Sequence, residues 1–154
     1  MTTTLPEIDS KDCIGSEVLF ELDLSVYNDV DLRDANDLIS PLSAAMAIGG
    51  GGRIYGASHA QYKESPRISS TVKLLTAFGL KATMHEEGLE ISGGQKPSPP
   101  SQLVSTYDDH RMQMTAVILA TKTGGIIDGS KLHLVSDPEF LVNLASHGIK
   151  IREI

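Results

Sequence analysis

Apolar and polar residues alternate over residues 17–27, and this period of two is typical of a half-buried strand. The apolar positions are Val18, Phe20, Leu22, Leu24 and Val26. Apolar residues then recur at helical spacing over 38–48, and the glycines at 49–52 predict the end of that helix and a turn. A short strand is predicted at 53–55. The beginning of the patterned region therefore folds as strand, helix and strand.

A second helix is predicted to start near Ser65, with Ser65 as its N-cap and Pro66 at the first helical position, where a missing N–H costs nothing. Its predicted apolar face consists of Ile68, Val72, Leu75 and Phe78. Gly79 is predicted to end this helix. The elements predicted after it are strands at 80–85 and 89–92, a turn at 87–88 and a proline-rich loop at 93–101.

The same order of elements returns after that loop. Its predicted members are a strand at 103–107, a helix at 109–122, a glycine stop at 124–125, a strand at 126–127, a helix at 137–147 ended by Gly148, and a strand at 149–154. Equivalent positions recur at nearly constant offsets, Asp37 with Asp109 at 72, Gly52 with Gly125 at 73, and Gly79 with Gly148 at 69.

Such periodicity predicts two related units, at about 16–95 and 100–154. The order of strands and helices predicts an α/β fold, layered in the α+β manner, with helices covering one side of each sheet. Residues 1–15 have no periodicity and are predicted to be a tail or an added segment.

The composition is that of a globular chain, with 40% hydrophobic and 21% charged residues among 154. The sequence contains no apolar run near the roughly 20 residues that a membrane span requires, and its start lacks a signal-peptide core. Cys13 is a single cysteine, so no internal disulfide can form. These features favour the cytoplasm and a chain that does not bind membranes.

The net charge of -7 argues against a nucleic-acid partner. Residues 1–40 contain ten acidic and two basic residues, a net of -8, so the remaining 114 residues carry +1. An anion site is therefore predicted in the later part of the chain, although an acidic, solvated beginning explains the asymmetry equally well.

The segment "YKESPR" places Lys63, Glu64 and Arg67 at a predicted helix start. Lys63 and Arg67 are four residues apart, so both can face an anion held by the free N–H groups and the dipole of the helix. Glu64 beside two cations would be ionised, and if buried it could exchange protons. The alternative is a solvated first turn with intrahelical ion pairs.

The segment "YDDHRMQM" places Asp109, His110 and Arg111 at the start of a helix that is apolar nearly all round. Cations at the N-terminus of a buried helix conflict with its dipole, and an external anion would resolve that conflict. Alternatively, His110 is a hydrogen-bonded structural histidine and Arg111 pairs with Asp109. Asp37, which opens the first buried helix, is on this reasoning most simply an N-cap.

Other sites are not supported. The glycine run at 49–52 follows a helix and precedes a strand, whereas phosphate-binding glycine loops do the reverse. The histidines have no metal-ligand spacing, and one cysteine cannot build a zinc site. We predict neither a metal nor a cofactor.

Taken together, these residues resemble a known family. The segment from Asp34 to Ile68, followed by "YDDHRMQMTAVILA", is similar to the C-terminal region of 5-enolpyruvylshikimate-3-phosphate synthase, 3-phosphoshikimate 1-carboxyvinyltransferase. The family has a Pro-Asp-Leu helix start, a glycine turn, Lys-Glu-Ser/Thr-Asp-Arg and then Asp-His-Arg. The resemblance covers the chain from about residue 17 to its end.

The resemblance implies transfer of the enolpyruvyl group from phosphoenolpyruvate to shikimate-3-phosphate in aromatic amino-acid biosynthesis. Asp37 would bind shikimate-3-phosphate and act as the general base, and Lys63 would contact the same substrate. Glu64 would carry the proton to and from the enolpyruvyl carbon. Arg67, His110 and Arg111 would hold phosphoenolpyruvate. The implied fold consists of βαβαββ-type units, about two of them in this chain.

This sequence departs from the family pattern in three respects. Pro66 replaces the aspartate of the Lys-Glu-Ser-Asp-Arg motif, and Val135 stands where some members have a substrate-binding lysine. Family members are also nearly three times as long, so the missing N-terminal part would be a required partner and this chain alone would be inactive. The alternatives are a related transferase acting on a UDP-sugar, a non-catalytic anion-binding or regulatory module, and a purely structural repeat protein.

Overall fold

The computed structural model describes residues 22–57 and 66–154. Its strands are β1 (Asn28–Asp31), β2 (Gly51–Tyr55), β3 (Ala82–His85) and β4 (Gly88–Ser92), and its helices are α1 (Ile39–Ile48), α2 (Arg67–Ala77), α3 (His110–Thr123) and α4 (Phe140–Ser146). Short 3-10 helices at Asn36–Leu38 and Leu132–Val135 precede α1 and α4. This is the α/β class, with helices against a mixed sheet, that the sequence predicts.

The four strands form one sheet in the order β1-β2-β4-β3. β1 is parallel to β2, β2 is antiparallel to β4, and β4 is antiparallel to β3. The register aligns Val30 with Ile54 and Ile54 with Leu89, so these buried side chains line one face. That face packs against the helices, and its apolar residues form the core of the molecule.

Helix α1 is the centre of the packing, because it contacts β2 and β4 as well as α2 and α3. Its buried residues point in all directions, as expected of a helix enclosed by other elements. They are Ile39, Ser40, Leu42, Ser43, Ala44, Met46 and Ala47. Since α1 contacts both α2 and α3, and α2 also contacts α3, the N-termini of all three helices can meet at one end, and the functional side chains lie there.

The turn from α1 into β2 requires glycine. Gly51 has a φ of +80°, and a Cβ built on it would lie 2.6 Å from the backbone nitrogen of Gly93. The backbone of Gly49 also accepts a hydrogen bond from the N–H of Gly94 at 2.7 Å. The glycine run is therefore a tight turn packed against the end of β4, which agrees with the sequence-based rejection of a phosphate loop.

Local signals in the first half are largely confirmed, with small shifts. The helix predicted at 38–48 is α1, and the strand at 53–55 is the end of β2. The helix predicted from Pro66 begins at Arg67, with Pro66 at the N-cap position that was predicted for Ser65. Ser65 lies outside the described residues, and so does the tail predicted at 1–15.

The strand predicted at 17–27 is wrong over residues 22–27, and residues 17–21 lie outside the described part. Asp23 closes a turn instead, accepting hydrogen bonds from the backbone N–H of Ser25 at 3.0 Å and from its hydroxyl. The Asn28 side chain donates to the carbonyls of Asp23 and Val26 at 2.8 Å. These side-chain bonds compete with strand pairing, so the strand begins only at Asn28.

The second half departs further from the prediction. Of the strands predicted at 103–107 and 126–127, only a single parallel bridge forms, between Val104 and Ile127. The segment 149–154 pairs with no strand in the described part of the chain. The last helix starts at Phe140, not at residue 137, because a 3-10 helix and a turn precede it. The division into two units stays a prediction.

The part of the chain that the structure describes contains no helix with the length and apolarity to cross a membrane. The cytoplasmic location stays a prediction.

Candidate functional site

Three helix starts meet at one point and bring four charged residues together. Asp37 lies in the 3-10 helix that leads into α1, Arg67 is the first residue of α2, and Asp109 and Arg111 open α3. They converge because α1 packs against both α2 and α3. The structure thus brings together three of the residues that the resemblance singled out, Asp37, Arg67 and Arg111.

Both arginines contact the same oxygen of Asp37. Arg67 Nη1 donates to Asp37 Oδ1 at 2.8 Å, and Arg111 Nε lies 3.1 Å from that oxygen. Each arginine also approaches Asp109, Arg67 Nε at 3.4 Å and Arg111 Nη1 at 3.5 Å. Two guanidinium groups and two carboxylates therefore form one network.

The network is buried at one end and open at the other. The side chains of Arg67 and Asp109 are 4% and 2% exposed, whereas that of Arg111 is 22% and that of Asp37 is 60% exposed. A ligand arriving from solvent would therefore meet Asp37 and Arg111 first. Arg67 and Asp109 form the floor of the site.

Among the described residues of the site, two carboxylates balance the two arginines. The Asp109 carboxylate accepts the backbone N–H of Arg111 at 2.9 Å and is the N-cap of α3. This acid compensates the cation at the start of the buried helix, as in the alternative that paired Arg111 with Asp109, and the external anion stays a prediction. The simple N-cap role is wrong for Asp37, whose side chain makes no capping hydrogen bond.

Asp37 is held in its ionised form. Partial burial of its carboxyl group would by itself raise the pKa, but the positive charges of Arg111 and then Arg67, together with their hydrogen bonds, outweigh this effect. The pKa of Asp37 therefore lies below its ordinary value of 3.8.

The structure gives fewer contacts for the other site residues that the sequence predicted. His110 is the first residue of α3 and is partly buried, and the described residues provide no hydrogen bond to its ring. Lys63 and Glu64 lie outside the described residues. Their substrate and proton-transfer roles, like that of His110, stay predictions.

Sequence reasoning missed a polar contact directly behind the site. The hydroxyl of Ser40 on α1 lies 2.8 Å from that of Thr71 on α2 and 2.9 Å from the sulfur of Met112 on α3. All three side chains are buried, so this contact fixes how the three helices cross. The sequence signal that could have indicated this contact was the presence of small polar residues, such as Ser40 and Thr71, within apolar helix faces.

Sequence reasoning also missed a pair of residues with left-handed backbone beside the site. Tyr107 and Asp108, which directly precede Asp109, have φ angles of +54° and +56°. The Tyr107 ring lies under the ammonium of Lys73 on α2, 5.8 Å from the ring centre. No local sequence pattern predicts this left-handed pair, which directs the chain into α3.

Comparison with known proteins places this chain in the enolpyruvyl transferase class. The family profile described as EPSP synthase (3-phosphoshikimate 1-carboxyvinyltransferase) matches residues 14–144. A 3-phosphoshikimate 1-carboxyvinyltransferase from Methanocorpusculum labreanum is 34% identical over 129 residues, covering 81% of this chain and 30% of the relative. One from Caldicellulosiruptor saccharolyticus is 33% identical over 150 residues, covering 94% and 34%.

A solved EPSP synthase from Acinetobacter baumannii superposes with a TM-score of 0.67 at 29% identity, covering 78% of this chain and 30% of that one. The chain belongs to the EPSP synthase (3-phosphoshikimate 1-carboxyvinyltransferase) family. It spans about a third of the length of the curated relatives it matches.

Proposed function

We propose that this chain supplies part of an active site that transfers the enolpyruvyl group of phosphoenolpyruvate to the 5-hydroxyl of shikimate-3-phosphate, releasing phosphate. One observation carries the proposal. Arg67 and Arg111, from two different helices, converge on the exposed carboxylate of Asp37. Two further points support the proposal. The chain belongs to the EPSP synthase family, and the two arginines suit an anionic substrate.

The two arginines are suited to phosphoenolpyruvate, which carries a carboxylate and a phosphate. A guanidinium group binds either of them through paired N–H donors. The contacts of Arg67 and Arg111 with Asp37 and Asp109 are made through the Nη1 and Nε groups of the two arginines. Each arginine therefore has donors left for a substrate after its contacts with Asp37 and Asp109, and His110 would lie beside them.

Asp37 would bind shikimate-3-phosphate and accept its 5-hydroxyl proton, and Lys63 would contact the same substrate. The freed oxygen forms a bond to C2 of phosphoenolpyruvate while C3 gains a proton from Glu64. Return of a C3 proton to Glu64 then expels phosphate and leaves the enol ether. Because both arginines lower the proton affinity of Asp37, it becomes an effective base only when substrate anions draw them away.

The rest of the enzyme would supply the opposite wall of the site. Catalysis requires both reactants to be held in register, so one wall alone is expected to give negligible turnover. The missing polypeptide is therefore the proposed partner, with the two substrates.

The test is a chimera in which this chain replaces the matching 30% of the Methanocorpusculum labreanum relative. We expect the chimera to release phosphate from the two substrates and the chain alone to release none. Arg111→Ala in the chimera should lower kcat/KM by about a hundredfold or more, because a charge-stabilising donor is lost.

The matched control is Arg33→Ala, which removes an arginine that is 66% exposed and lies outside the site. It should leave kcat/KM within about twofold of the parent chimera. A folded chimera without turnover, or equal effects of the two substitutions, would contradict the proposal.

A second candidate is a non-catalytic anion-binding or regulatory module. It is favoured by Pro66, which stands where the family has aspartate, and by the neutralisation of both arginines by Asp37 and Asp109. Calorimetry combined with the phosphate-release assay separates the two functions. A module would bind phosphoenolpyruvate in the chimera without turnover.

A further inference from the structure

Asp128 lies outside the arginine site, yet its carboxylate holds the segment that leads into the site. Asp128 Oδ1 accepts hydrogen bonds from the backbone N–H of Thr106, at 2.7 Å, and from the Thr106 hydroxyl. Thr106 is 1% exposed, so water has almost no access to these bonds. Hydrogen bonds to a charged acceptor are stronger than neutral ones, and a buried environment strengthens them further. Asp128 therefore fixes Thr106 firmly in place.

Residues 106–109 form a tight turn that places Asp109. The Thr106 carbonyl accepts a hydrogen bond from the backbone N–H of Asp109 at 3.0 Å. Between these two residues, Tyr107 and Asp108 both have left-handed backbone. Residues with a side chain adopt this conformation only at a cost in energy, so it persists where neighbouring contacts enforce it. The two bonds to Asp128 are such contacts, because they hold the beginning of the turn.

The backbone of Asp128 is fixed against the same segment. Its N–H donates to the Val104 carbonyl at 3.1 Å. The next residue, Gly129, has a φ of +71°, and a Cβ built on it would lie 3.0 Å from Thr106 Oγ1. A side chain at position 129 would therefore crowd Thr106. The close approach that lets the Asp128 carboxylate reach Thr106 depends on this glycine.

The far end of the turn is the floor of the arginine site. Asp109 caps α3 by accepting the backbone N–H of Arg111 at 2.9 Å. Its carboxylate also lies 3.4 Å from Arg67 Nε and 3.5 Å from Arg111 Nη1. A displacement of residues 106–108 would therefore move Asp109 and, with it, both guanidinium groups. A displacement of about 1 Å at groups that hold a substrate is enough to lower catalytic efficiency strongly.

We propose that Asp128 is a positioning residue of the transferase site. Acting through Thr106 and the turn at 106–109, it places Arg67 and Arg111 to hold phosphoenolpyruvate. The side-chain hydrogen bonds that the structure describes for Asp128 both go to Thr106, so its effect on the arginines is indirect. The inference rests on the proposed function, because the substrate is taken from it.

The test compares three variants of the chimera described above. Asp128→Ala removes the acceptor, so the KM for phosphoenolpyruvate should rise at least about tenfold. Asp128→Asn keeps an oxygen that can accept both bonds, so this KM should stay within about twofold of the parent. Thr106→Val removes one donor and should raise it at least about threefold. The KM for shikimate-3-phosphate should change by less than about twofold, because Asp37 lies in a separate 3-10 helix.

Ile91→Val is the control for a loss of stability alone. Ile91 is a buried residue of β4, away from the arginine site, so the substitution should lower Tm and leave both KM values unchanged well below Tm. Equal increases of the phosphoenolpyruvate KM in Ile91→Val and Asp128→Ala would overturn the proposal. An Asp128→Asn variant as impaired as Asp128→Ala would also overturn it, and so would a Thr106→Val variant with the parent KM.

A measurement on the chain alone separates this inference from the proposed function. The amide N–H of Asp109 donates to the Thr106 carbonyl, and that of Arg111 donates to Asp109 Oδ1. Asp128→Ala should speed hydrogen exchange at these two amides at least about tenfold more than Ile91→Val does. Faster exchange together with an inactive chimera refutes the proposed function and supports the placing of Asp109 by Asp128. Equal exchange in the two variants overturns the inference even in an active chimera.

Discussion

Arg67 and Asp109 are opposite charges in positions with almost no access to water, 4% and 2% exposed. A buried ion pair contributes little net stability, but a buried charge that loses its partner is costly. Asp109 also caps α3, so its position depends on the helix as well as on the arginines. The floor of the site is therefore part of the structural framework, whereas Asp37 at its opening is not.

Replacing Arg67 by alanine should lower the free energy of unfolding by about 2–4 kcal/mol, because Asp109 stays buried with Arg111 as its remaining ion-pair partner among the four site residues. Urea unfolding followed by circular dichroism measures this. Arg33→Ala, in a 3.6 Å pair at the surface, should cost no more than about 0.5 kcal/mol. Equal losses in the two variants would show that the buried pair contributes nothing specific.

The low pKa of Asp37 makes one part of the stability depend on pH. The pKa of Asp37 is lower in the folded chain than in the unfolded chain. The Asp37 carboxylate therefore adds its full contribution to the free energy of unfolding above the unfolded pKa, near 3.8. That contribution disappears as pH falls through the lower, folded pKa. Asp37→Asn should therefore destabilise the chain modestly at pH 6, and that effect should shrink as pH falls below about 4. Because the side chain is 60% exposed, solvent screening limits the size of the effect.

Urea unfolding at pH 6 and pH 3 measures this dependence. The control is Asp34→Asn, an exposed aspartate outside the ion pairs of the described residues. A difference between wild type and Asp37→Asn that stays constant from pH 6 to pH 3 would contradict the pKa assignment.

At the scale of elements, the turn between α1 and β2 requires glycine more because a side chain would overlap neighbouring backbone than because of the φ angle. Gly51 and Gly94 both have a positive φ, +80° and +68°. A Cβ on Gly51 would meet backbone atoms at 2.6 and 2.7 Å, whereas one on Gly94 would meet nothing within 4 Å. The two positions therefore separate conformational strain from steric overlap.

Gly94→Ala should cost about 1 kcal/mol, the strain of a left-handed alanine. Gly51→Ala should cost at least about 2 kcal/mol more, because the β2 and β4 backbones must also separate. Thermal unfolding of the two variants gives the comparison. Similar losses would mean that the α1–β2 turn yields to the added methyl group.

Elements specified by local signals could be predicted from the sequence. Helices α1 and α3 carry apolar residues at helical spacing and glycine stops, so their ends were predicted to within one residue. The strands at 103–107 and 149–154 could not be settled in this way, because a strand exists only with a partner. Their alternating residues are present, but among the described residues the segment 103–107 forms a single bridge and the segment 149–154 forms none.

At the scale of the whole molecule, the sequence predicted which residues build the site better than how they combine. Cations at helix starts suggested an anion site, and the resemblance added Asp37. Spacing could not reveal that Asp37 bonds to both arginines or that Asp109 also contacts Arg67, because these contacts join residues 30 to 74 positions apart. Tertiary packing of α1 against α2 and α3 decides both.

The packing behind the site has a consequence for folding. The β3–β4 hairpin joins neighbouring residues, whereas the contact of Ser40 with Met112 spans 72 positions. Closing longer loops costs more entropy, so contacts between distant residues tend to form after local ones. We therefore expect the sheet and the α1–α2 pair to form before α3 docks against them. During synthesis, the arginine network can therefore be complete only after Arg111 has left the ribosome.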